Sequence, residues 1–438
     1  MTQQPQPTGR PGYRSVSTAP PVAVPPVAVP APTAAPQSMA PPGVSPVARR
    51  RRQHGVGSVV AIVVLGVLLP LTGPGADLGS AVSDGVDLGV SDIDDAGGLL
   101  GFPVKVVTQD EGGDATTAAR AVDSLLEEGV DAIVGPASSL TAATVLPVTT
   151  RAGVLTCSPT ASAMSLDTFP SDGLFVRTIP SDSLQAAAIA EHVLETGAPS
   201  TAVLFLDDAY GRPFGDAVRA ELEARSLDVK SVVSFDASDS DYGNETRVIA
   251  STGAEVVVVI GDASAGPRVV SDLFAAVDSR TQIVINDAMR VPSTASAYQR
   301  LSASELDRLR GISPTSRLVV GDFAARFAVR HPESSGVFAA NGYDCTTLIG
   351  LAVRATRSAD ASDIAEQIDT MSHLGSECID FETCAAELAA GLNIDYDGPS
   401  GELHIGDDGD VVRGTFELFA FDPQGRDVAT DTVVIVGR

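Results

Sequence analysis

From Val64 onward the chain repeats one pattern: a short unbroken run of Val, Ile and Leu, a loop of small residues, then a stretch with apolar residues three or four apart. "VVLGVLLPLTG" leads into "SAVSDGVDLGVSDIDDAGG", "FPVKVVTQD" into "DATTAARAVDSLLEEG", "VDAIVGPASS" into "LTAATVLPVTTRAG", and "VLTCSPTAS" follows. Strands that are apolar on both faces and alternate with amphipathic helices predict a parallel sheet covered by helices on each side. The rhythm then restarts. "TAVLFLDDAYG" precedes "RPFGDAVRAELEARS", "DVKSVVSFD" precedes "DYGNETRVIASTG", "AEVVVVIGDA" precedes "GPRVVSDLFAAVDS", and "TQIVINDAM" closes the set. Two successive sets predict an α/β chain with two similar lobes, each a doubly wound parallel sheet. Residues 317–395 read as mostly helical and the end returns to strands, so the late helices are expected to rejoin the first lobe.

Residues 1–48 break this pattern. They are rich in Pro, Ala, Gln and Ser and contain the direct repeat "PVAVPPVAVP". Such a stretch lacks the large apolar side chains that would offset its ordering entropy, so a disordered, basic, Pro-rich tail is expected over 1–55. The expected lobes are 62–180 plus 315–410 and 181–314 plus 411–438. Between tail and lobes, "RRRRQHGVGSVVAIVVLGVLLPLTG" supports two readings of the same residues. Arginines before an apolar run suit an export segment or an anchor; "LGVLLPLTG" suits a buried first strand and its turn.

Charge sharpens the division. The net charge is −27 over 438 residues, yet the first 54 hold six arginines and no acid, so the remainder carries about −33. An acidic body repels phosphate backbones and anionic lipid, which argues against nucleic acid as a partner. Of four cysteines, Cys378 and Cys384 lie in "ECIDFETC", where no second pair or nearby His completes a zinc set, so a small disulfide loop and an oxidising compartment are expected. Cys157 and Cys345 sit in apolar surroundings and are expected as buried free thiols.

Little in the chain supports catalysis or a cofactor. His54, His192, His331, His373 and His404 are scattered, and no phosphate-binding or dinucleotide fingerprint is present. "DYDGPSGELHIGDDGD" is not an EF-hand, since Ser400 stands where the turn glycine is required. No metal site is expected. What remains are small polar residues at strand ends. Ser138 and Ser139 open a helix after one strand, and Thr160, Ala161 and Ser162 follow the next. Hydroxyls and backbone N–H groups converging there can hold a carboxylate. On the second half, Tyr210 and Asp287 follow strands, and Asp287 across a cleft can receive an ammonium.

These stretches, in this order from about Leu65 to the end, resemble the periplasmic binding proteins of fold type I, the leucine/isoleucine/valine-binding subfamily. The resemblance rests on "GVLLPLTGPGADLG", "DIDDAGGLLGFPVKVVTQDEGGD", "AVDSLLEEGVDAIVGPASSLTAA", "GVLTCSPTASAMSL", "VRTIPSDSLQAAAIAEHV", "AVLFLDDAYGRPFGDAVRAEL", "GYDCTTLIGLAV" and "ECIDFETCAAELAAGLNIDYDGPSGEL". It implies a binding protein without catalysis, with Ser138, Ala161 and Ser162 at the ligand carboxylate, Tyr210 in the cleft and Asp287 at the ammonium. Leu78 takes the place of an aromatic pocket wall, and Ala263 that of another. It also implies crossings between lobes near residues 180, 314 and 410, and assigns Val64 to Pro70 to the first strand. The implied partners are an amino-acid-like ligand and an ABC transporter permease, for a monomer outside the cytoplasm with no cofactor. Membrane association through the N-terminal segment stays open, and the alternative function is a ligand-sensing module of the same fold.

Overall fold

The first strand shows why the chain folds as it does. In this computed structural model, which describes residues 62–290, 292–315 and 322–437, β1 (Val64–Leu69) is buried along its whole length. A strand flanked on both edges and covered on both faces needs such an unbroken apolar run. The expectations about the Pro-rich tail and the arginine-flanked run up to residue 61 lie outside the described residues. Among those described, no helix is long and apolar enough to cross a membrane.

The first sheet takes the order β2-β1-β3-β4-β5, all parallel, with β2 (Lys105–Asp110), β3 (Ala132–Val134), β4 (Leu155–Ser158) and β5 (Phe175–Arg177). Its helices are α1 (Ala76–Asp95), α2 (Ala115–Glu127) and α3 (Ser139–Ala152). The chain then crosses to the second sheet through α4 (Asp182–Glu195). There it forms β6 (Ser200–Leu206), α5 (Gly211–Ala224), β7 (Asp228–Phe235), α6 (Gly243–Ser251), β8 (Val256–Ile260), α7 (Gly266–Ala276) and β9 (Gln282–Ile285). The short helices α8 (Ala295–Tyr298) and α9 (Ala303–Leu306) lead into β10 (Leu309–Pro314).

The chain next returns to the first lobe as α10 (Phe323–Arg330), α11 (Ala339–Thr356), α12 (Ala361–Met371), β11 (Ser376–Cys378), α13 (Phe381–Ala389) and β12 (Ile394–Tyr396). Ile364, Ile368, Phe381 and Tyr396 share one apolar cluster with Val67 and Val134 of the first sheet. The last crossing delivers β13 (Arg413–Phe421) and β14 (Asp427–Val436) to the second sheet, whose order is β14-β13-β10-β9-β8-β6-β7. β13 is antiparallel to β10 and β14 to β13, so this sheet is parallel only from β10 across to its far edge at β7, a correction to the wholly parallel lobe expected. A hairpin needs no helical crossover, and it can close the edge of a parallel sheet.

α11 is the central helix of the first lobe: every residue from Ala339 to Val353 is buried. A helix buried on every face belongs in a core, and its polar Asn341 and Asp344 are hydrogen-bonded there to Thr178 and to Tyr396 and Ser400. It approaches α1 so closely that a Cβ on Gly85 would overlap the Ala339 carbonyl. Backbone cannot yield as a flexible side chain does, so Gly85→Ala is expected to destabilise the fold by about 1–3 kcal/mol, read as a lower urea midpoint.

Two disulfides staple this lobe. Cys378 and Cys384 are bonded across the turn between β11 and α13. Cys157 of β4 is bonded to Cys345 of α11, which corrects the expectation of free thiols there. The partners lie 188 residues apart in sequence, and only the return of α11 onto the sheet brings them together.

Candidate functional site

The site is built where strands end. After β3, Ser138 caps α3, its Oγ accepting the Leu140 N–H at 3.2 Å. After β4, the loop 159–163 folds against it. Thr160 Oγ1 donates to the Ala137 carbonyl at 2.8 Å, and the Ala163 N–H donates to Ser139 Oγ at 3.1 Å. The Ala161 N–H is held by Ser158 Oγ at 3.0 Å. Ser138, Ser139, Thr160, Ala161 and Ser162 are therefore brought together, as two loops laced into one surface.

One donor pair there is already taken. Glu111, buried at the end of β2, accepts the Ala137 N–H at 3.0 Å and the Ser138 N–H at 3.1 Å, one on each oxygen. Burial pushes its carboxyl up to about 8 against the pull of those two bonds. The first loop's backbone donors were expected to be free for a ligand carboxylate; the chain's own acid occupies them instead. What the loops still offer are the hydroxyls of Ser138 and Ser139 and the N–H groups of Thr160 and Ser162, which have no partner among the described residues.

The other half of the site consists of acids. Asp287 opens a short turn directly after β9, and its Oδ1 accepts from Gln185 Nε2 at 2.8 Å, while the same amide donates to the Ile312 carbonyl at 2.8 Å. Asp182 begins α4, three residues before Gln185, so both lie on one face of that helix. Its N–H donates to the Ser162 carbonyl at 2.9 Å, which places it against the first lobe's loop. Burial first, then the nearby Asp287 carboxylate, push Asp182 up to about 8, and burial also raises Asp287. Tyr210 caps the turn into α5, and its hydroxyl accepts from Asn286 Nδ2 at 3.0 Å. Burial and then the carboxylates of Asp182 and Asp287 raise its phenol.

No cation forms an ion pair with Asp182 or Asp287 among the described residues: Arg290, near Asp287, is turned to Glu417 and Asp427, and Arg177, near Asp182, to Asp410 and Asp167. Asp182 Oδ1 and Gln185 Oε1 are buried acceptors without a hydrogen-bond partner among the described residues, while the Ser162 hydroxyl lies near enough to the Asp182 carboxyl to favour its ionised form. Orphaned buried acceptors are costly unless a bound group supplies the donors. The strand-end loops thus carry N–H and O–H donors, and Asp182 and Asp287 are buried acids with no ion-pair partner among the described residues; donors and acids of these kinds suit the two ends of a zwitterion.

Leu78 stands apart from these bonds. It is half-buried at the start of α1 and packs on the first lobe's core, while Ala263 is exposed. Sequence reasoning missed Glu111, Asp182, Gln185 and Asn286. The strand-end argument extends to them: Glu111 follows β2, "PSDSLQ" follows β5, and Asn286 precedes Asp287. Among the described residues, no group of His, Cys, Asp or Glu is placed to hold a metal ion.

Comparison with known proteins adds the family. Residues 62–387 match the family model described as periplasmic binding protein. The Leu/Ile/Val-binding protein homolog 3 of Brucella melitensis biotype 1 is 26% identical over 358 residues, covering 80% of this chain and 93% of that protein. The branched-chain amino acid transporter substrate-binding protein of Streptococcus pneumoniae, solved with isoleucine, superposes with a TM-score of 0.68 at 20% identity over 86% of this chain and 100% of its own. A solute-binding protein of R. palustris, solved with benzoate, gives 0.66 at 18% identity over 86% and 98%. The fold alone therefore does not choose between an amino acid and an aromatic acid. A match over most of the chain, on a two-lobed α/β frame whose strand-end loops face each other, makes this protein a member of the periplasmic binding protein family, a solute-binding protein and not an enzyme.

Proposed function

We propose that this protein captures an α-amino acid, or a close analogue with carboxylate and ammonium on one carbon, and delivers it to an ABC transporter permease outside the cytoplasm. The observation that carries the reading is the pair Asp182 and Asp287, two buried acids near Tyr210 that form no ion pair with a cation among the described residues. A benzoate-like ligand would bring its anion against two buried acids whose own ionisation is already disfavoured, at a Coulomb cost that rises as water is excluded. An ammonium removes the cost. The ligand carboxylate then falls to the Ser138 and Ser139 hydroxyls and the Thr160 and Ser162 N–H groups, and Leu78 lines the side-chain end. Two disulfides support an oxidising location.

Ligand that touches donors on one lobe and acids beside the other selects the closed arrangement of the lobes. Small-angle scattering of the full chain with and without saturating L-leucine tests this. A smaller radius of gyration with ligand is expected, and an unchanged radius at saturation would oppose closure.

The reading also sets a pH dependence. The empty site holds Asp182 protonated below about 8, whereas an ammonium prefers the ionised form. Binding therefore expels a proton at neutral pH, and affinity is expected to rise with pH between 6 and 8, by up to about tenfold per unit, and to level off above. Titration calorimetry at three pH values measures the slope. Asp182→Asn should flatten it; an equal slope in that variant would assign the proton elsewhere.

A further inference from the structure

Arg177 ends β5, and its side chain is completely buried. Nε and Nη2 donate to the two oxygens of Asp410, each at 2.7 Å, and Nη2 also reaches Asp167 Oδ1 at 2.5 Å. Nη1 donates to the carbonyls of Ala161 at 3.2 Å and Ala163 at 3.3 Å. These partners come from three places. Asp410 lies just before β13, where the chain crosses for the last time, and the adjacent Gly409 carbonyl accepts the Arg177 N–H at 3.0 Å. Asp167 accepts from Ser181 Oγ at 2.8 Å, and Ser181 is the cap of α4 at the first crossing, immediately before Asp182. Ala161 and Ala163 flank Ser162 in the loop that faces the acids.

The peptide unit turns this contact into an aiming device. It is planar and trans, so the carbonyl of Ala161 and the N–H of Ser162 point in opposite directions. Fixing that carbonyl on a buried guanidinium directs the Ser162 N–H away from Arg177, and this N–H has no partner among the described residues. A lysine cannot substitute. Five donors in a rigid fork serve two carboxylates and two carbonyls here, whereas one ammonium offers three donors at a single point.

We propose that Arg177 is the positioning residue of the site: it aims the 161–163 loop and locks it to the first and last crossings, so that lobe closure and presentation of the loop's donors move together. The ligand-facing part of this rests on the amino-acid reading above; the mechanical part does not.

The test uses the full chain and two variants, Arg177→Lys and Asp410→Asn, so that failure of the first to fold leaves the second to decide. Arg326→Lys is the control. Arg326 is tied to Asp92 and Asp322 on the α1–α10 side, and its loss costs stability in a different network. Hydrogen exchange in ligand-free protein is expected to speed at least tenfold at the Ala161 and Ala163 amides and in residues 406–412 in both test variants, and not in the control. L-leucine affinity is expected to fall at least tenfold in both, and to remain within about twofold of wild type in Arg326→Lys. Wild-type exchange in the loop would overturn the positioning role, as would an affinity loss equal to that of the control at matched stability. If wild-type protein fails to bind L-leucine or any other α-amino acid, the functional reading fails, while the exchange comparison still decides the role of Arg177.

Discussion

Asp287→Ala is expected to weaken binding of an α-amino acid by about 30-fold to several thousandfold. On the proposed reading the ligand ammonium is received by Asp287, which follows β9 and is steadied by Gln185. Truncating one member of a buried charged pair typically costs about 2–5 kcal/mol, much of it from the partner left without a counter-charge, and each 1.4 kcal/mol is tenfold in affinity. Asp182 softens the loss only in part, because it sits on a different element and already bonds the Ser162 loop. Ser138→Ala should cost far less: it removes one hydroxyl and a helix cap, and the adjacent backbone donors serve Glu111, not the ligand. Calorimetry with L-leucine separates the two. Near-wild-type affinity in Asp287→Ala would mean that the ligand has no ammonium or that it binds elsewhere.

Replacing Cys157 and Cys345 together with serine is expected to lower stability by about 2–5 kcal/mol, at the upper end of what one disulfide contributes. The bond closes a loop of 188 residues, so it removes more freedom from the unfolded chain than the Cys378–Cys384 bond with its separation of 6. Both sulfurs are also fully buried, and a serine pair leaves two hydroxyls in an apolar core. Urea denaturation of the two double variants should rank Cys157/Cys345 well above Cys378/Cys384. Equal, small losses would contradict a covalent tie between β4 and α11. Alkylation without reductant followed by mass spectrometry should find all four thiols blocked.

The frame of the protein could be read from the chain because burial on both faces leaves a local mark. β1 and β8 are unbroken apolar runs, and the alternation with helices needs no long-range information. What escaped depends on distant partners. Nothing near Cys157 in sequence announces Cys345, and the antiparallel β13–β14 hairpin is distinguished from another parallel unit only by the missing helix between its strands. The site divides in the same way. Asp287 and the two loops were visible as strand ends, whereas the role of Glu111 appears only when its carboxylate is seen filling the Ala137 and Ser138 donors. Asp182 and Gln185 look like an ordinary first helical turn until Asp287 is placed opposite them.

The measurement that tests the account most directly is a thermal-shift panel of the full chain. It takes the α-amino acids together with matched acids that lack the amino group, such as 4-methylpentanoate beside L-leucine. A ligand at 100 times its Kd stabilises the folded form by about 2.7 kcal/mol. The account predicts such a stabilisation by at least one α-amino acid and none by its amino-free counterpart; no shift with any α-amino acid, or an equal shift with the amino-free acid, would contradict it.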